Sequence, residues 1–395
     1  MRHFAHKNGS MKNSLCCCAA ALSILTACME RETPARQTLP SDFTPPGLAK
    51  MFSNLPLEAT HLQEVYNAVG HSSGNGYDEE YTLGCLIDSP GAGVGDSPAS
   101  KAESAKAYAS PLRDLLRDYL ASQPITRGSS PDDLLRLLSK TDFQLYWPYS
   151  DHWDGKTFPV ITFDPGSGSE TNYGYRISIG ADGQRKVDSV FVDEALAAEV
   201  PVWVFNSNSD AQFSPLRPAT HQSSVSEDYG RGGTVTFARP RRLLLKSFKM
   251  NRNFDSWFGG ASEFWVKCGS VDGFNATTDA ELKLFYPSVT DFMIVVKRRD
   301  VGVELPYEAI LVGDFTPQLE KLVFMITEDD GGTRTNWKCN AVVKIQSKTY
   351  GFEVDMPYNE KDDIVWRGQL SARYFEEEDT VHGRFGDVEI SFELE

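Results

Sequence analysis

The sequence predicts a mainly β chain, α+β overall, with its helices gathered near the N-terminus. Three observations predict it. Apolar residues keep helical spacing only between 57 and 139, the period changes to two from residue 142, and short apolar runs separated by Gly, Asp, Asn and Pro fill 241–395. The expected order is a signal segment (1–27), a tether (28–56), an N-terminal helical region (57–139) and a mixed middle β-domain (140–206). A long loop or linker (207–240) and a C-terminal antiparallel β-sandwich (241–395) complete it.

The first element is an address. Lys12 precedes an apolar run from Leu15 to Leu25, and no acidic residue appears before Glu30. That is the pattern of a secretory signal, too short for the roughly 20 apolar residues that span a bilayer. Leu25-Thr26-Ala27-Cys28 resembles the bacterial lipobox at all four positions. The resemblance implies a thioether-linked lipid on Cys28 and loss of everything before it. Met11-Lys12-Asn13 is itself a normal signal start, so the first ten residues read as an upstream extension. Pro34, Pro40, Pro45, Pro46 and Pro56 then interrupt a polar stretch that reads as a tether.

In the helical region, Leu62, Val65, Tyr66 and Val69 form one stripe, and Leu112, Leu115, Leu116, Tyr119 and Leu120 another. Ser130-Pro131-Asp132-Asp133 is a helix start: a capping hydroxyl, a proline in the first turn and acids at the positive end of the dipole. Gly91, Gly93 and Gly95 sit in a linker, since no Lys-Ser/Thr follows to make a phosphate loop. In the middle domain, strands are predicted at Gln144–Tyr149, Pro159–Phe163, Tyr173–Ile179, Val187–Val192 and Pro201–Phe205, with a helix at Asp193–Glu199. In the sandwich about nine strands are expected, among them Glu263–Cys268, Glu281–Tyr286, Leu322–Thr327, Trp337–Ile345 and Val388–Leu394.

The net charge of −16 argues against a nucleic-acid partner and against an electrostatic grip on anionic lipid. Zincin, serine-hydrolase and Walker signatures are absent, and the scattered histidines lack metal-ligand spacing. Alternation directs Cys268 and Cys339 into the same kind of core. A disulfide between them and a pair of buried thiols are both compatible with that.

Two constellations carry chemistry. Asp151, His152, Trp153 and Asp154 combine carboxylates, an imidazole and an aromatic platform, the makings of a glycan subsite or general base. They are equally a turn whose Trp packs downward. In the sandwich, Asp329 and Asp330 follow one strand, Asp362 and Asp363 precede another, and Asp255 and Glu263 flank a Trp-Phe-Gly-Gly turn. Hard cations such as Ca²⁺ take six to eight oxygens from such loops, as C2-like domains do. Ordinary turn chemistry is the competing account.

The stretch Phe254-Asp255-Ser256-Trp257-Phe258-Gly259-Gly260-Ala261-Ser262-Glu263, with the later Glu328-Asp329-Asp330-Gly331 and the strand Pro201-Val202-Trp203-Val204, resembles an uncharacterised family of secreted β-rich bacterial proteins. That family pairs an acidic-x-Trp-x-x-Gly-x-Ala-Glu segment with a Glu-x-Asp-Gly turn. Here the glycine is doubled and Ser262 separates Ala261 from Glu263. Acidic residues soon after Cys28 make the start similar to surface lipoproteins of Bacteroidetes. The resemblance implies secretion and no particular activity.

The function expected from these readings is a lipoprotein held on the outer membrane through Cys28. It would bind a ligand, glycan or partner without catalysis and need no cofactor beyond Ca²⁺. The alternative is a secreted hydrolase using paired carboxylates. A deep pocket with two carboxyls roughly 5–9.5 Å apart favours the alternative, and a shallow aromatic surface favours binding.

Overall fold

A computed structural model describes residues 43–88, 110–123, 130–166, 168–208, 213–219 and 240–395. The signal segment, Cys28, the glycine-rich 90–95 stretch and most of the 207–240 linker lie outside them. Leu39–Glu395 forms one compact unit. The fold is β-rich α+β, as the periodicity predicts.

The tether prediction is corrected at its end. Helix α1 (Pro45–Asn54) starts where Thr44 Oγ1 accepts from Gly47 N at 3.3 Å, with prolines in its first turn. Two prolines that read as linker are therefore a helix start. Leu48, Ala49, Met51 and Phe52 are buried, and Phe52 stacks on Phe205 at 4.6 Å. Helix α2 (Ala59–Gly74), strand β1 (Glu80–Thr82) and helices α3 (Leu83–Asp88), α4 (Pro111–Ser122) and α5 (Pro131–Leu138) follow. Ser110 and Ser130 cap α4 and α5. The short strand β1 interrupts the region expected to be helical throughout.

These helices share one core with the middle strands β2 (Phe143–Tyr146), β3 (Val160–Phe163), β4 (Thr171–Ile179) and β6 (Val202–Ser207); β5 (Arg185–Asp193) and helix α6 (Glu194–Glu199) come between β4 and β6 in the chain. The sheet order is β1-β2-β6-β3-β4-β5. All pairings are antiparallel except β3 with β6. Trp203 and Phe205 face the helices, while Val202 and Val204 belong to a second core on the other face. A strand covered on both faces explains this unbroken apolar run.

The second lobe contains ten strands, β7 to β16. One sheet runs β10 (Leu305–Val312), β7 (Leu243–Met250), β16 (Val388–Leu394), β15 (Thr380–Phe385). The other runs β13 (Lys348–Asn359), β12 (Arg334–Ile345), β11 (Leu319–Glu328), β8 (Ser262–Ser270), β9 (Ser288–Val296), with β14 (Asp363–Ser371) also paired to β11. They meet through Phe248 on Phe264 at 5.0 Å and Phe324 on Phe392 at 5.7 Å. Two expectations change. Glu281–Leu284 is a 3-10 turn instead of a strand, its Leu284 exposed. Cys268, buried, and Cys339, half-buried, are free thiols against the sandwich core, on β8 and β12 with β11 between those strands in the sheet order.

Candidate cation site

The loop 251–261, between β7 and β8, joins the two lobes. Trp257 and Phe258 leave the sandwich and pack with Val160, Val192, Val202 and Val204 on the free face of the first sheet. Trp257 Nε1 donates to Glu170 O at 2.9 Å, and Ala261 N donates to the buried Asp78 carboxylate at 2.8 Å. The chain after β9 supplies the electrostatic half of the joint. Lys297 reaches Ser73, Arg298 forks onto Glu194 at 3.1 Å through both Nε and Nη2, and Arg299 pairs with Asp151 at 2.9 Å and Glu79 at 3.3 Å. Burial, then the neighbouring Asp78, pushes Glu79 up to about 7 despite Arg299.

The same loop carries Asp255. Arg298 Nη1 donates to Asp255 O at 2.8 Å, and the Phe254 ring lies edge-on to Phe264 at 5.2 Å. Glu328 ends β11, opposite Phe264 of β8 and Asp363 of β14. Opposed residues share a sheet face. Glu328 therefore points to the side of Phe264, at the rim of the core, and is 1% exposed. Carboxylate oxygens of Asp255, Glu263 and Glu328 all lie within 4.8 Å of one another. Glu328 Oε1 is buried and has no hydrogen-bond partner among the described residues.

Burial, then the facing Asp255 carboxyl, drives Glu328 far above the ordinary carboxylate range. Burial also raises Asp255, against the pull of Glu328 hydrogen bonding and of Arg298. Partial desolvation, then the nearby Asp255 and Asp363 carboxylates, raises the exposed Asp330 to about 6. Two facing buried carboxyls cannot both stay anionic without something positive between them, and the choice is a proton or a metal ion.

Of the six residues suggested for a cation, the structure brings Asp255 and Glu263 together and adds Glu328. Asp330 and Asp363 are close enough to raise its proton affinity. Asp329 and Asp362 are turn residues. Asp329 accepts from Gly331 N at 2.9 Å and Trp265 Nε1 at 3.1 Å, while Asp362 accepts from Asn359 N at 2.8 Å. The sequence does not single out Glu328: Leu322 to Ile326 is an unbroken apolar run with Val323 and Met325 buried too, so alternation marks no inward set, and it is the register opposite Phe264 that places the carboxylate.

The loop from Asp151 to Asp154 is occupied by structural duties. Asp151 pairs with Arg299, and the His152 ring stacks on Tyr149 at 5.9 Å. Trp153 packs against Tyr66 and Trp147, both at 5.3 Å, and Asp154 accepts from Lys156 N and Thr157 N within its own turn. Every group suggested for chemistry there already has a partner.

No protein-family model matches the chain, and no curated protein matches it significantly.

Proposed function

We propose that the chain is a lipid-anchored protein of the bacterial cell envelope, a non-catalytic binding module in which a hard divalent cation fixes the loop that joins its two lobes. Asp255, Glu263 and Glu328 would hold that ion. The observation that carries the cation reading is Glu328 Oε1, buried and without a hydrogen-bond partner among the described residues, in a side chain 1% exposed that faces Asp255. A charge so placed needs a counter-charge. Hard oxygen donors favour Ca²⁺ over softer metals. A hydrolase's carboxyl pair needs access to substrate, and the burial of Glu328 withholds it, so the reading is of a structural ion. The envelope assignment is supported by the lipobox-like Leu25–Cys28 and the secretory pattern before it.

A thermal melt of the purified chain in EDTA and in saturating CaCl₂ at neutral pH tests the ion. At a hundred times its dissociation constant a ligand stabilises the folded state by about 2.7 kcal/mol. For a unit of this size that is a rise of about 3–5 °C. The sign with pH is fixed by the raised acids. The folded state binds more protons than the unfolded one between the ordinary carboxylate values and the raised ones. The stability these raised acids contribute is therefore fully present below the ordinary carboxylate values and is lost as pH climbs through about 6 at Asp330 and about 7 at Glu79, and further as the buried pair ionises. The calcium-induced rise should grow along the same axis. Glu328→Gln should abolish it while stabilising the apo chain, since the amide can donate to Asp255. An unchanged melt at every pH would mean that the pair holds a proton and no ion.

The anchor has its own test. The intact protein should sediment with membranes, and Cys28→Ser should move it to the soluble fraction with its melt unchanged. A variant that still sediments would end the lipoprotein reading.

A further inference from the structure

The outer face of the β10-β7-β16-β15 sheet carries a cleft of about 410 Å³, whose lining includes none of Asp255, Glu263 and Glu328. Register explains its lining. His382 of β15 stands opposite Ser391 of β16, which stands opposite Ser247 of β7; Glu304, just before β10, bonds Ser247. Two residues along, Arg384 stands opposite Glu389, which stands opposite Lys249. Alternation turns both rows away from the core side, where Phe248, Ile390 and Phe392 are packed. The pairing of β16 with β7 slips by one residue beside Ser391, leaving Lys246 extra. Bulges of this kind re-aim side chains and gather next to functional sites.

The floor is unusual. Ser247 and Ser391 face outward yet are 8% and 3% exposed, with their hydroxyls bonded to each other. On the wall, Lys249 meets Glu389 at 3.3 Å, Asn251 donates to the same carboxylate at 3.2 Å, and Arg384 Nε donates to Gly386 O at 3.2 Å. Two cations and two carboxylates leave the lining without net charge. No aromatic side chain lines it, and its one apolar residue, Ile390, turns its side chain into the core.

We propose that this cleft binds a neutral polyhydroxylated ligand, one or two sugar units of a glycan. An anion would meet Glu304 and Glu389. A zwitterion would have to separate Lys249 from the carboxylate that already pairs with it. A neutral sugar avoids both costs, because each hydroxyl can donate to a carboxylate or serine and accept from Arg384, Lys249 or His382. The volume lies within the roughly 300–1,000 Å³ range of small-molecule sites. Most such sites are apolar, and a lining whose side chains are mainly charged and hydroxyl-bearing, with aliphatic surface between them, suits a ligand rich in hydroxyls. The inference rests on the binding-module reading for its purpose, but not on the cation.

The test is isothermal titration of the purified full chain with glucose, galactose, mannose, N-acetylglucosamine and their β-1,4-linked disaccharides, each in the wild type, Arg384→Ala and His382→Ala. Both side chains are exposed, so the variants should keep the wild-type melt. At least one sugar should bind the wild type, and each variant should weaken it about tenfold or more. Three results would overturn the inference: no sugar binds, both variants bind as the wild type does, or glycylglycine or acetate binds in a manner sensitive to Arg384 and no sugar does. Failure here with an intact calcium shift removes only the sugar site. Sugar binding without a calcium shift removes only the ion.

Discussion

Replacing Trp257 with alanine should lower the folding stability by about 3–5 kcal/mol, the usual cost of emptying a buried indole site. The side chain is 1% exposed and fills the face of the first sheet beneath Val202 and Val204, although it is anchored in the second lobe. The truncation removes three things together: contact with the valines, the Nε1 bond to Glu170 O and the ring contact with Phe258 at 3.9 Å. Trp257→Phe keeps much of the volume and should lose about a third to a half as much. Urea unfolding measures both, through a shift in midpoint at constant slope. A loss under about 1 kcal/mol for the alanine variant would show that the loop does not hold the lobes together.

Arg298→Ala should cost about 2–4 kcal/mol, by a different mechanism. Removing one partner of a buried ion pair strands the other, which commonly costs about 3–5 kcal/mol. Glu194 is 38% exposed against 10% for Arg298, so water recovers part of that loss. The guanidinium also holds Asp255 O, and the variant should loosen the loop that presents the Asp255 carboxylate. Arg298→Lys keeps the charge but not the planar fork and should recover less than half of the stability. Glu194→Gln should cost less than Arg298→Ala, since the amide keeps an acceptor for the fork and Arg298 keeps its bond to Asp255 O. The two substitutions measured singly and together give the coupling energy, and a coupling near zero would contradict the pairing.

Much of this architecture can be read from residues alone, and the parts that cannot share a cause. Strands with clean alternation, such as Trp337 to Ile345, are visible because one face must be dry, and Leu322 to Ile326 is visible as an unbroken apolar run, buried throughout. Helix starts are visible where the capping atom is local, as at Ser130. Thr44-Pro45-Pro46 uses the same device, but the polar sequence before it disguises a helix as tether. Glu281–Tyr286 carries strand-like alternation, yet Leu284 and Tyr286 end in solvent because no neighbouring strand is there to cover them. Strands β10 and β15 escape notice because Pro306 and Gly383 break their pattern. The candidate site divides similarly. Asp255 and Glu263 are marked by the turn between them, whereas their approach to Glu328 depends on β8 lying beside β11, across some sixty residues of chain.

Strand β6 arrives last in sequence of its sheet and sits in the middle of it, between β2 and β3. Before it docks, β1–β2 and β3–β4–β5 are two fragments with no hydrogen bonds between them. Pairings between neighbouring segments cost little loop-closure entropy, whereas a central strand that arrives last must close a longer loop, so docking of β6 is expected to be the slow step, read as slowed refolding in a Val204→Ala variant. In the finished protein the same position reverses the consequence. The amides of Val202 to Phe205 lie far from any fraying edge and dry on both faces, so they exchange with solvent only when the whole sheet opens.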